Sequence, residues 1–140
     1  MNSKTIIGGI IGGIVAFFAG WLIYGTLLMS FFESHMIHYD GILKSPLVWW
    51  AMALGNLVLG YLVAYVLNLG NIANPMKGAT VGGIVFFLLT LGIDLCIYAQ
   101  MNLVGKKYIL ADSLAGLVLG AIVGLVVGWW MGRSPKPAVA

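Results

Sequence analysis

The chain has 140 residues, of which 61% are hydrophobic and only 8% are charged, with a formal net charge of +3 and a mean hydropathy of +1.04. Soluble domains carry roughly 25% charged residues, so this composition cannot cover a water-facing surface. The small, divided positive charge likewise argues against a nucleic-acid surface and for contacts with lipid headgroups.

The charges are segregated. None falls between Lys4 and Glu33, between Lys44 and Lys77, or between Asp112 and Arg133, and the stretch from Lys77 to Lys106 holds only Asp94. Each gap is long enough to cross a hydrocarbon layer of about 30 Å. Backbone amides in lipid need internal partners, so these stretches are expected to be helices. The pattern predicts an all-α, four-transmembrane-helix bundle with spans over Ile6–Phe32, Leu47–Leu69, Gly78–Met101 and Ser113–Gly132. The first run is too long for a secretory signal and lacks a small-residue cleavage pattern, so it reads as a retained helix. Loop one covers Glu33–Pro46. Loop two, with Asn71, Asn74 and Pro75, reads as a tight turn. Loop three covers Asn102–Asp112. The domain is therefore 1–132, followed by a short polar tail, 133–140, expected to be disordered.

Four spans put both termini on one side. Lys4, Lys77, Arg133 and Lys136 lie there, against Lys44, Lys106 and Lys107 opposite, which favours cytoplasmic termini. Trp49 and Trp50 open the second span and Trp129 and Trp130 close the fourth, as interfacial belts do.

GGIV occurs at 12–15 and again at 82–85; LVLG occurs at 57–60 and at 117–120. Together they suggest two similar helical hairpins in parallel repeat, related by an axis along the membrane normal, although short matches also arise by chance in such a chain.

Helices in lipid associate by close packing, for which small residues four apart are suited. The fourth span carries Gly116, Gly120, Gly124, Gly128 and Gly132; the first carries Gly8, Gly12, Ala16 and Gly20, with Gly9 and Gly13 beside them. The expected use is packing of the first span on the fourth, and the alternative is a seam between copies.

Asp94 is the one acid expected within a span. A charge there costs a few kcal/mol at least, so it should face protein or water. Thr90 and Tyr98, four residues to either side, extend a polar stripe. Counting about 1.5 Å per residue puts Asp94 about 10 Å deep, with Tyr24 and Asn56 at about 12–13 Å and Thr26 at about 9 Å. This polar layer either locks the bundle by hydrogen bonding or forms a proton- or cation-responsive site. In loop one, Glu33, His35, His38 and Asp40 are weak candidates for metal ligands, with His35 and His38 sharing a face if the helix continues. Nucleophile elbows, phosphate loops and paired catalytic carboxylates are absent from the sequence, so no enzyme and no cofactor are expected. Cys96 has no partner for a disulfide.

The segment GWLIYGTLL (Gly20–Leu28) resembles a bacterial family of small four-helix membrane proteins of unknown function, whose first helix ends in an aromatic-Tyr-Gly-Pro-Leu run. Tyr24, Gly25 and Leu27 match, while Ile23 and Thr26 replace the aromatic residue and the proline. The segment from Met101 to Trp130 is similar in layout, with a short polar loop and a small-residue-rich last helix ending in tryptophan. The resemblance implies a bacterial inner membrane and a four-helix fold, and it brings no catalytic residues.

Three functions fit the sequence. The first is a structural or accessory subunit of a membrane assembly, which suits the short loops and glycine ladders. The second is a small oligomeric transporter or channel using the layer around Asp94. The third is a metal or cofactor binder at loop one. The expected partners are membrane lipids and either a second copy of the chain or other membrane subunits.

Overall fold

A computed structural model of the protein describes residues 3–133; most of the tail, with Lys136, lies outside the described residues. The chain is helical throughout its spans. Helix α1 (Ser3–Leu22) runs into a π-helical turn over Ile23–Leu27 and then into a short α2 (Met29–His35). Three long helices follow: α3 (Trp49–Leu69), α4 (Pro75–Gln100) and α5 (Lys106–Gly132). Four helical stretches, Ser3–Leu27, Trp49–Leu69, Pro75–Gln100 and Lys106–Gly132, are long and apolar enough to cross a membrane. The protein is a membrane protein built as a helical bundle.

Helix α1 starts at Ser3 and α3 at Trp49, a few residues from the expected Ile6 and Leu47, and three further boundaries differ for identifiable reasons. Helix α4 starts at Pro75 because Asn74 caps it, its side-chain oxygen accepting from the backbone N–H of Met76 (2.9 Å) and Lys77 (3.1 Å), with proline at the first helical position where no N–H is missed. Helix α5 starts at Lys106, so Lys106, Lys107 and Asp112 belong to the helix and not to a loop. Charges mark where hydrocarbon meets headgroups, whereas the helix itself continues into the interface. The first span is not one unbroken helix to Phe32. Leu28 N–H donates to the Ile23 carbonyl at 2.9 Å, a five-residue step that widens the helix around Tyr24, Gly25 and Thr26. Gly25 and Thr26 are weak helix formers, and Leu28 leaves the helical region altogether (φ −109°, ψ 3°).

The largest interface joins α4 to α5 and the next joins α1 to α3, so the chain is two consecutive hairpins. In each, the repeated motifs meet: Gly60 lies against the backbone of Gly12 and Gly13, and Gly120 lies against Gly82. The order of buried and exposed residues over 11–20 recurs position for position over 81–90. Likewise Val63, Ala64 and Leu67 of α3 are buried as Val123, Gly124 and Val127 of α5 are, sixty residues on. The repeat is thus carried in packing as well as in letters.

The glycine ladder of α5 does not serve mainly to seat α1. Gly116 faces Thr90 and Phe86, Gly120 and Gly124 face Gly82 and Gly78, and Gly128 and Gly132 face Asn74 and Ala73, all in or at the head of α4. In α1, Gly9 and Gly13 meet α3, where a Cβ on Gly13 would lie 2.6 Å from Leu57 Cα and one on Gly9 2.9 Å from Tyr61 Cα, whereas the ladder itself faces α5 as expected, with Trp130 3.2 Å from a Cβ on Gly8 and Val127 2.8 Å from one on Gly12. Gly20 has only Leu119, 3.7 Å from where its Cβ would be. Chain neighbours pair first, since a short turn already holds α4 beside α5.

The two hairpins join through α1 and α5. Ala16, Ile23, Val63, Ala64, Leu67, Leu119, Val123 and Val127 form the shared core, with Phe86 reaching in from α4. At the terminal end, Lys4 Nζ donates to the Arg133 carbonyl at 2.6 Å and Trp130 Nε1 to the Lys4 carbonyl at 3.2 Å. The Arg133 guanidinium sits 3.9 Å above the Trp129 ring, which fits an interfacial belt. Helix α3 buries nothing before Gly60, and α3 barely touches α4.

Candidate functional site

The contact between Thr90 in α4 and Gly116 in α5 sets the register of an antiparallel pair. One turn further along α4, and one turn back along α5, Asp94 comes level with Asp112 and Ser113. The Asp94 carboxyl lies within electrostatic reach of Asp112. Asp94 is only 5% exposed and Ser113 only 1%, while Asp112 is half-buried. Among the described residues nothing donates to Asp94 Oδ2, and Ser113 Oγ has no partner.

Both acids lie inside a span, where an unshared charge is costly.

Two tyrosines complete the site. Tyr24, carried on the π-helical turn, places its hydroxyl against Asp112, 3.5 Å from that residue's backbone oxygen. Tyr108 lies one turn before Asp112 on α5 and is electrostatically in reach of both acids. Phe32 of α2 covers them, stacked on Tyr24 (5.5 Å between centroids) and edge-on to Tyr108 (4.8 Å). Widening the helix at Ile23–Leu27 turns Tyr24 into the bundle and redirects the chain into α2. Wide turns of this kind recur at functional sites. Beyond α2, loop one is clasped to the α4–α5 link: Ile37 N–H donates to the Leu103 carbonyl at 2.9 Å and the Tyr39 hydroxyl to the Asn102 carbonyl at 3.0 Å.

The polar layer read from depth is thus corrected in membership. Asp94 and Tyr24 come together. Thr90 lies one turn away and returns its hydroxyl to the Phe86 carbonyl of its own helix (2.9 Å). Asn56 does not join, because it lies where α3 packs on Gly13 of α1 and away from α4; its amide donates to the Met52 carbonyl one turn back (2.9 Å). Thr26 and Tyr98 are exposed. Nor are the loop-one residues gathered into a metal site. His35 Nδ1 lies 2.8 Å from the Phe31 carbonyl, with its ring stacked on Phe31; Glu33, His38 and Asp40 are exposed. No group of three His, Cys, Asp or Glu side chains able to hold a metal occurs among the described residues.

No protein-family model, no curated protein and no solved structure matches the chain. Its function has to be argued from the site.

Asp112 and Tyr108 were hidden by being assigned to a loop. A signal for them is present nonetheless. Continuing the four-residue ladder of α5 past Gly116 gives Asp112 and then Tyr108. The ladder Gly8, Gly12, Ala16, Gly20 continues to Tyr24, and Gly78, Gly82, Phe86, Thr90 continues to Asp94. Each of these four-residue series reaches a polar residue, and the site is where they do so.

Proposed function

We propose that the chain is a proton-carrying subunit of a small oligomeric transporter or channel, set in a bacterial inner membrane with its termini in the cytoplasm. The observation that carries this reading is the second acid: the Thr90–Gly116 register brings Asp112 of α5 level with the buried Asp94 of α4, so two groups able to take up and release a proton share one level of the span. The repeat supports it further. The offset of seventy residues that relates Gly12 to Gly82 also relates Tyr24 to Asp94, and membrane transporters built from repeats place their sites where the repeats meet. Four spans supply few walls for a path, which is why the reading includes a second copy. Membership of the small four-helix family resembled by Tyr24, Gly25 and Leu27 is proposed with it.

The test is reconstitution into liposomes with an internal pH dye and an imposed potassium diffusion potential. Wild-type protein and Gly92→Ala should acidify or alkalinise the lumen with the potential, and Asp94→Asn and Asp112→Asn should not. Wild-type flux in Asp94→Asn defeats the proposal.

A second reading, an accessory subunit of a larger assembly, is favoured by α3, whose first half from Trp49 to Val58 buries no residue and includes the polar Asn56. A stoichiometric partner co-purifying from native membranes, together with absence of flux, would select it.

A further inference from the structure

We infer that the groove on the lipid-facing side of the α4–α5 hairpin holds one acyl chain of an anionic phospholipid, with the lipid phosphate on Lys106. The groove contains neither acid and is separate from the site proposed above to carry protons. It has a volume of about 430 Å³ and is walled by two stripes: Phe87, Leu91, Leu95 and Tyr98 on α4, and Lys106, Leu110 and Ser113 on α5. Spacings of three or four residues keep each set on one helix face.

The groove has the dimensions of one chain in one leaflet. From Phe87 to Tyr98 it runs about 16 Å along α4, half of a hydrocarbon layer of about 30 Å. Lys106 and Tyr98 stand at the end nearest the loops, where headgroups begin, and Phe87, Leu91, Leu95 and Leu110 supply an apolar track toward the middle. A partner helix is too large for it, since a cylinder 10 Å across would fill roughly 1,200 Å³ over that length.

Two polar groups ask for more than bare hydrocarbon. Ser113 is 1% exposed and its Oγ has no partner, whereas buried polar atoms are nearly always satisfied. The Cα–Cβ bonds of α5 tilt toward its N-terminus, so Ser113 leans up the groove toward Lys106, about 10 Å away along the axis. The acyl-ester carbonyl of a lipid whose phosphate is held by Lys106 supplies the missing acceptor. Lys106 is exposed at headgroup level and selects a lipid of net negative charge, because choline or ethanolamine brings its own cation to the phosphate.

The repeat gives an internal comparison. Phe17 and Ala53 line a groove between α1 and α3; they are the counterparts of Phe87, seventy residues on, and of Ser113, sixty residues on. By the same offsets Lys106 corresponds to Pro46 and Tyr98 to Leu28. The first hairpin thus carries an apolar groove lined by neither hydroxyl nor cation, and the second carries both.

The test is native mass spectrometry of the purified full-length protein titrated in neutral detergent with phosphatidylglycerol or phosphatidylcholine of identical chains. The expected result is one phosphatidylglycerol held per chain at least tenfold more tightly than phosphatidylcholine. Lys106→Gln should remove that preference and Ser113→Ala should weaken binding of both lipids several-fold. Lys107→Gln, which takes the same charge from a residue outside the groove, should leave binding unchanged. A benzophenone side chain in place of Leu95 should photo-cross-link to phospholipid in native membranes. Equal retention of the two lipids by wild type overturns the inference, as does equal weakening by Lys106→Gln and Lys107→Gln, which would mark surface charge alone. Cross-linking from position 95 to a protein, whether a second copy or another subunit, also overturns it. Each variant is read only with its wild-type circular dichroism spectrum, and the exposed Lys106→Gln keeps the test decisive if Ser113→Ala does not fold.

Discussion

Asp94 on α4 and Asp112 on α5 come level one helical turn beyond the point where Thr90 packs on Gly116, so the glycine seam that holds the second hairpin together also brings its two acids within electrostatic reach. Packing and chemistry are therefore linked: glycine at 116 lets α4 approach, and the approach places the carboxyls. A double-mutant cycle should reveal this. Asp94→Ala and Asp112→Ala should each lower stability, and the double variant should differ from their sum by roughly 0.5–3 kcal/mol, the range for groups in direct contact. Reversible unfolding in mixed micelles measures it. Additive effects would show that the two acids do not interact.

Gly82 and Gly92 offer a matched pair on the same helix. A Cβ on Gly82 would run into the Gly120 carbonyl and lie 2.8 Å from Gly124 Cα, and neither backbone can yield. Gly82→Ala should lose about 1–3 kcal/mol by overpacking. Gly92 has nothing within 4 Å of its Cβ position, so Gly92→Ala should be neutral or gain up to about 1 kcal/mol from helix propensity. Thermal unfolding monitored by circular dichroism distinguishes them, and equal losses would contradict the seam as described.

The four spans were legible because an apolar run of sufficient length has no other stable form in lipid. Asp94 was legible because one charge in such a run stands out. Asp112 was not, since it lies where charges begin, and a rule that reads charges as loop assigned it to water. The π-helical turn at Tyr24 was equally hidden: local propensity at Gly25 and Thr26 weakens a helix without saying how it will bend. Depth counted along each helix brought Asn56 level with Asp94 but carried no information about direction, and α3 proved to stand apart from α4 at that height. The hairpin pairing was present in the repeat GGIV and LVLG, whose copies meet within each hairpin, whereas the glycine ladder alone did not say which neighbour it served.

Tyr24 separates a packing role from a polar one. Its ring stacks on Phe32 at 5.5 Å between centroids, while its hydroxyl makes only a long contact of 3.5 Å to the Asp112 carbonyl. Tyr24→Phe should change stability by less than about 1 kcal/mol, and Tyr24→Ala should cost about 2–3 kcal/mol, below the range for a fully buried ring, as a partly buried ring is removed. If the hydroxyl serves the carboxyl pair, Tyr24→Phe should still slow proton flux several-fold in liposomes at wild-type folding yield. Unaltered flux in that variant would restrict the residue to packing.

Asn56 tests the boundary of the site. Depth counting brings it near the acids, yet its amide bonds only to Met52 in its own helix, and its backbone packs on Gly13 of α1 instead of on α4. Asn56→Leu should therefore alter the stability of the isolated chain by no more than about 0.5 kcal/mol, as surface substitutions do, and should leave proton flux as in wild type. The informative outcome lies in assembly. A polar side chain facing lipid gains from meeting another polar group across a helix interface, so a loss of oligomer on substitution, seen by cross-linking in native membranes with the folded chain intact, would identify α3 as the face that meets a partner. A loss of flux with the oligomer intact would instead return Asn56 to the site and require α3 to close on α4 during the working cycle.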